Sequence, residues 1–153
     1  MPEELIQKLV NSGLFNQGFA TVEYLAASLL DMKWHLIESG ASVDDVLKFE
    51  EEAMNNIGLI PEILPRYRST YFSHIFSGGY SAGYYVYIWA AVLDADAFAA
   101  FAESGDLFNK ELAAKFRQYC LSEIGEAPAM EQYKKFRGQE PNEKYLLERR
   151  GLK

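Results

Sequence analysis

The residues best suited to chemistry lie in one stretch, His74-Ile75-Phe76-Ser77-Gly78-Gly79-Tyr80-Ser81-Ala82-Gly83-Tyr84-Tyr85-Val86-Tyr87-Ile88-Trp89. A helix opening near Tyr80 sets residues 80, 84 and 87 at i, i+4 and i+7. The three phenols then share one face, with Ala91 below them. Tyr85, Ile88 and Trp89 point elsewhere on such a helix, into a core. Gly78 and Gly79 come just before, where adjacent glycines allow backbone conformations closed to other residues. His74 sits upstream on the loop. A phenol with its ordinary pKa of about 10 keeps its proton at neutral pH and can donate a hydrogen bond. A row of phenols beside one imidazole therefore suits the stabilisation of an oxyanion that forms only in a transition state. General-base work would require a large pKa shift. The same spacing also suits plain packing, because tyrosines at helical intervals fill cores with their hydroxyls satisfied. Gly-Gly equally makes a simple turn.

Other reactive side chains offer less. His35 follows Trp34 on a mostly apolar segment and reads as a packed, hydrogen-bonded histidine. Glu23 interrupts an apolar run and suits either a buried, paired position or the surface. Cys120 lies between Tyr119 and Leu121 with no histidine nearby in sequence, which reads as an inert buried thiol. Gly78-Gly79 is not followed by Lys-Ser or Lys-Thr, so it is no phosphate loop. No His-Glu-x-x-His occurs in the chain.

Composition narrows the function classes. The chain has 153 residues, about one domain's worth, and 49% of them are apolar, which fits a globular core. There are 15 Lys+Arg against 22 Asp+Glu, a net charge of −7, and no basic run before Glu148-Arg149-Arg150. A nucleic-acid partner is therefore not expected. One cysteine gives no internal disulfide. Two histidines argue against a self-contained zinc site, since catalytic zinc usually draws on two or more imidazoles. Against these scarcities stand ten Tyr and ten Phe. The start, Met1-Pro2-Glu3-Glu4, has no leader pattern, and with the lone cysteine it favours the cytoplasm over secretion. Ser69 to Leu93 carries no fixed charge, but its apolar tail from Tyr84 to Leu93 is too short to cross about 30 Å of hydrocarbon. No membrane contact is expected.

The elements that must position these residues read as helices, and the fold class expected is all-α. Leu5, Leu9 and Val10 share a face between Pro2 and Gly13. Val22, Leu25, Ala26, Leu29, Met32 and Leu36 recur at helical spacing from about Gln17 to Ser39, closed by Gly40. Tyr24, Leu30, Trp34 and Ile37 fill its other faces, so this helix should be buried on most sides. Ser42 is expected as an N-cap for a helix to about Asn56, with Glu50-Glu51-Glu52 mostly toward water. Residues 58–79, broken by Pro61 and Pro65, read as loop with short helical turns. Tyr80 or Ser81 should open the next helix, which runs to about Ala102. Asn109 should cap a helix through Cys120. Pro128 suits the first turn of a helix closed by Gly138, and Asn142 opens a last one ending at Gly151. No stretch alternates as a half-buried strand does.

Three stretches carry a resemblance. Phe15-Asn16-Gln17-Gly18-Phe19-Ala20-Thr21-Val22-Glu23-Tyr24-Leu25-Ala26-Ala27 is similar to a segment of the zinc peptidases of the thimet oligopeptidase family. So is Tyr67-Arg68-Ser69-Thr70-Tyr71-Phe72-Ser73-His74 continuing through Gly78-Gly79-Tyr80 to Tyr85. The closing Phe136-Arg137-Gly138 and Leu146-Leu147-Glu148-Arg149-Arg150-Gly151-Leu152 match as well. The six-residue step from His74 to Tyr80 resembles the peptidyl-dipeptidase branch.

The resemblance implies that residues 1–153 are the C-terminal helical portion of a larger peptidase catalytic domain. The family's His-Glu-x-x-His helix and the helix giving a third, glutamate ligand lie upstream of these motifs. Zinc is thus implied for the complete enzyme and no cofactor for this chain. His74, Tyr80 and Tyr87 match residues that contact substrate or stabilise the tetrahedral intermediate, and are the implied catalytic set. Tyr84 matches another tyrosine facing the cleft. Gly78 and Gly79 match a glycine-rich loop over bound peptide, so these three are the implied substrate-binding residues. The implied activity is metal-assisted hydrolysis of short peptides, in which zinc polarises the scissile carbonyl and an upstream glutamate takes the proton of its water. The isolated chain would bind no zinc, cleave no peptide and self-associate through an exposed apolar face. A stand-alone helical module that binds peptides, or one that only oligomerises, is the competing reading.

Overall fold

Local signals set the helix ends. The computed structural model describes residues 1–152, and among them there is no strand, so the fold is all-α. Its contacts divide the chain into two units, 1–87 and 88–153.

In the first unit, α1 is Glu3–Gly13, with Glu3 and Glu4 in its first turn where the positive end of the helix favours them. Helix α2 is Gln17–His35, ending before the expected Ser39. Helix α3 is Val46–Asn56. Its N-cap is Asp45, not Ser42: the Asp45 carboxylate accepts from the N–H groups of Leu47 and Lys48, each at 3.0 Å. The stretch expected as loop contains a 3₁₀ turn, Ser69–Tyr71, and the short α4, Ser73–Phe76.

Helix α2 is buried on one face only, by Tyr24, Ala26, Ala27, Ser28, Leu30 and Asp31. The expected apolar stripe is largely outside: Val22, Leu25, Leu29 and Leu36 are exposed. Ala26 and Leu30 pack instead with Ala53 and Met54 of α3, flanked by Trp34, Phe49 and Leu59. Trp34 and Phe49 meet ring to ring at 4.2 Å, and the Trp34 indole donates to Ser69 Oγ at 2.9 Å. Glu50 is buried rather than solvated. Its carboxylate pairs with Arg68 and accepts from the Ser69 N–H at 2.6 Å, which anchors the segment leading to α4.

Helix α5, Val86–Glu103, crosses the division with its first two residues. The second unit then holds α6 (Lys110–Phe116), a π-helical stretch (Arg117–Ser122), α7 (Ala129–Arg137) and α8 (Lys144–Arg150). Asn109 caps α6 through the N–H groups of Glu111 and Leu112, both at 3.1 Å. Gly138 and Gly151 end α7 and α8 with φ of +81° and +63°, a conformation that glycine takes without a Cβ clash. The core of this unit gathers Ala100, Tyr133 and Phe136, with Leu93, Phe116 and Tyr119 around them. No helix among the described residues is long and apolar enough to cross a membrane.

Candidate functional site

After α4 the chain reverses tightly. A Cβ on Gly78 would stand 2.8 Å from the carbonyl oxygen of His74, so only glycine fits there. Gly79 follows at φ +78°, open to glycine at no steric cost. The reversal lets the Tyr80 N–H reach the His74 carbonyl at 3.3 Å and the Ser81 hydroxyl donate to Ile75 O at 2.7 Å. Ala82 then adopts φ +52°, a left-handed conformation rare for a residue with a Cβ.

Asp31 of α2 holds that conformation in place. Its side chain is 0% exposed. Oδ1 accepts from the Ala82 N–H and Oδ2 from the Tyr84 N–H, both at 2.9 Å. His35, one turn along α2, places Nδ1 2.8 Å from Oδ1 and 2.9 Å from the Asp31 carbonyl. Tyr24, two turns before Asp31, donates its hydroxyl to the Tyr84 carbonyl at 2.7 Å. A buried carboxylate must be met by donors, and here backbone N–H groups meet both oxygens. Residues 81–85 are therefore a turn, and α5 starts only at Val86. The expected helix from Tyr80 is corrected, and so is the burial of Tyr85 and Trp89, which are both exposed.

The side chains still converge, by the turn rather than by helical spacing. The Tyr80 and Tyr87 rings stack at 5.4 Å with 20° between planes. The His74 ring lies 5.7 Å from Tyr80, 5.9 Å from Tyr84 and 6.5 Å from Tyr87. Tyr84 is 3% exposed and forms the floor, against Phe72 at 4.9 Å and Tyr24 and Tyr87 at 5.4 Å each. Its ring packs rather than lining an open cleft, and burial pushes its phenol pKa up. Tyr87 is 42% exposed. A hydrogen bond with Tyr80, then partial desolvation, pushes the Tyr87 pKa up to about 12. Its proton thus stays in place across the neutral range.

All six expected site residues fall within 74–87. The structure adds three that the sequence reading did not single out as holding the site: Asp31, Tyr24 and Glu50. An acid inside an apolar helix, with a histidine four residues on, was the available signal for Asp31. Burial pushes the Cys120 thiol pKa up, and the Glu23 carbonyl accepts from the Arg66 N–H at 3.1 Å. Among the described residues no group of three or more His, Cys, Asp and Glu is placed to hold a metal ion. The described residues do not by themselves fit a zinc site.

Known proteins match along the whole sequence. The sequence model of Peptidase family M3 matches residues 1–152. A dipeptidyl carboxypeptidase of Escherichia coli is 44% identical over 99% of this chain and 22% of its own length. A dipeptidyl carboxypeptidase of Salmonella typhimurium is 40% identical over 99% of the chain and 22% of its own length. An oligopeptidase A from the same species is 34% identical over 100% of the chain and 22% of its own length. The chain thus spans about a fifth of the curated relatives it matches.

Proposed function

The chain belongs to peptidase family M3, and on that premise we propose that it is the C-terminal portion of a zinc-dependent catalytic domain that hydrolyses short peptides. It supplies one wall of the active site. Tyr87 and Tyr80 donate hydrogen bonds to the oxyanion that forms at the scissile carbonyl, and His74 contacts the same substrate group. Tyr84 is the floor that sets the height of the Tyr87 ring, and Gly78 and Gly79 bring Tyr80 back over it. The zinc ligands belong to the part of the domain outside this chain.

One observation supports the reading above the rest. His74, Tyr80 and Tyr87 present three polar heads within one ring-contact cluster, on a turn held rigid from below by Asp31. Donors fixed before the reaction need no reorganisation when the charge appears. In the complete peptidase carrying this segment, Tyr87→Phe should lower kcat about 10²–10³-fold, as loss of one oxyanion donor does, with KM little changed. An unchanged kcat removes Tyr87 from the role.

The chain alone is proposed to cleave no peptide and to self-associate, because apolar side chains stand exposed along α1, α2 and the link between them, where Phe15 is 82% exposed. Sedimentation over a wide concentration range should show association. A monomer at every concentration contradicts that part.

A further inference from the structure

Helix α2 ends on a side chain that turns back on its own helix. His35, its last residue, sets Nδ1 2.9 Å from the Asp31 carbonyl and 2.8 Å from Asp31 Oδ1. Both neighbours are oxygens that only accept, so Nδ1 carries the proton. That N–H lies between the backbone and the carboxylate of one residue, and it fixes the orientation of the Asp31 side chain.

The orientation matters because Asp31 is used at both oxygens. Oδ1 also accepts from the Ala82 N–H and Oδ2 from the Tyr84 N–H, at 2.9 Å each. A fully buried carboxylate has no water to replace a lost donor, so any rotation of Asp31 is passed to those two N–H groups. From Tyr84 the displacement reaches the site, since its ring lies 5.4 Å from Tyr87 and 5.9 Å from His74. Tyr87 in turn stacks on Tyr80 at 5.4 Å. His35 also meets the other side of the chain reversal. Its ring lies 6.1 Å from Phe76 of α4, just before Gly78.

We propose that His35 is a positioning residue for the peptide hydrolysis proposed for the complete enzyme, a reading on which this inference rests. Its Nδ1–H locks Asp31, Asp31 sets the turn at 81–85, and the turn sets where the Tyr80 and Tyr87 hydroxyls stand when the oxyanion forms. His35 adds no affinity for the peptide; it adds rate.

Two variants of the complete peptidase carrying this segment separate the N–H from the ring. His35→Phe keeps a flat ring against Phe76 and removes the donor. His35→Asn gives up the ring, and its side-chain NH₂ takes the place of Nδ1. His35→Phe should lower kcat about tenfold, a part of the roughly 10²-fold that an ångström of misplacement costs, with KM within about twofold. His35→Asn should recover most of that kcat. Hydrogen exchange read by mass spectrometry gives a measure independent of activity. In His35→Phe the segment 81–85 should exchange about tenfold faster, as for one lost net hydrogen bond, while α3 keeps its protection. The proposal is overturned by an unchanged kcat in His35→Phe, by an effect carried on KM, by a lower kcat in His35→Asn than in His35→Phe, or by protection lost from α3 together with the turn. Tyr87→Phe is measured beside them. If it lowers kcat and His35→Phe does not, the positioning role alone fails. If Tyr87→Phe has no effect, the peptidase reading fails and takes the positioning role with it.

Discussion

Each unit buries an aspartate completely, and the two are used differently. In the first, Asp31 accepts from two backbone N–H groups of a turn more than fifty residues away. In the second, Asp96 joins side chains: the Tyr133 hydroxyl donates to Oδ2 and Arg137 Nε lies 3.1 Å from it. Arg137 has a second partner in Glu103 at 2.9 Å, while Asp96 Oδ1 has none. One carboxylate fixes the course of a loop, and the other fixes one helix against another. A loop has no hydrogen-bond ladder of its own, so its shape must be imposed from outside. Two helices already keep their shapes, and the acid between them only sets how they dock.

This difference can be broken by the same mild substitution in both places. Asp31→Asn keeps one acceptor but turns an NH₂ toward the other backbone N–H. It should cost about 2–4 kcal/mol in urea denaturation and strip hydrogen-exchange protection from Ala82 and Tyr84. Asp96→Asn can still accept from Tyr133, and Arg137 keeps Glu103, so the cost should be about 1–2 kcal/mol. A larger loss at Asp96 than at Asp31 would reverse the comparison. Gly78→Ala forces a Cβ against the His74 carbonyl and should cost more than Gly79→Ala, which pays about 1 kcal/mol for its positive φ. Thermal melts of the two variants give the order.

The smallest effect is on protons. The Tyr87 pKa is raised from 10.0 to about 12, first by its hydrogen bond with Tyr80. A folded-state value above the unfolded one means that the contribution is complete below pH 10 and lost as pH rises toward about 12. Tyr80→Phe should bring the Tyr87 titration back toward 10, followed by tyrosinate absorbance or NMR. The same variant should leave Tyr133 unmoved, because burial is the first cause of its raised pKa. A Tyr87 titration that stays near 12 in Tyr80→Phe removes the hydrogen bond as the cause.

What the sequence made legible was local. Asn109, Gly138 and Gly151 mark helix ends because a cap or a left-handed glycine acts within a few residues. The start of α5 was not legible, since an apolar run from Tyr80 satisfies helical spacing as well as turn geometry does. The deciding bonds come from Asp31, and nothing adjacent to Tyr80 records them. Glu50 failed for a related reason: within Glu50-Glu51-Glu52 the three acids look alike, and only Arg68 and the Ser69 N–H single out the first. The residues of the candidate site could be grouped from the sequence because they lie within fourteen positions. Their convergence did not depend on the helix that the spacing suggested.

The left-handed Ala82 has a consequence for association. Ordering one backbone residue costs roughly 1–2 kcal/mol of conformational entropy. The turn carrying Tyr80 and Tyr84 meets that cost during folding, through Asp31 and Tyr24. On the proposed function, a peptide arriving at Tyr80 and Tyr87 would therefore find a surface with little freedom left to lose, and more of each contact would remain as affinity or as rate.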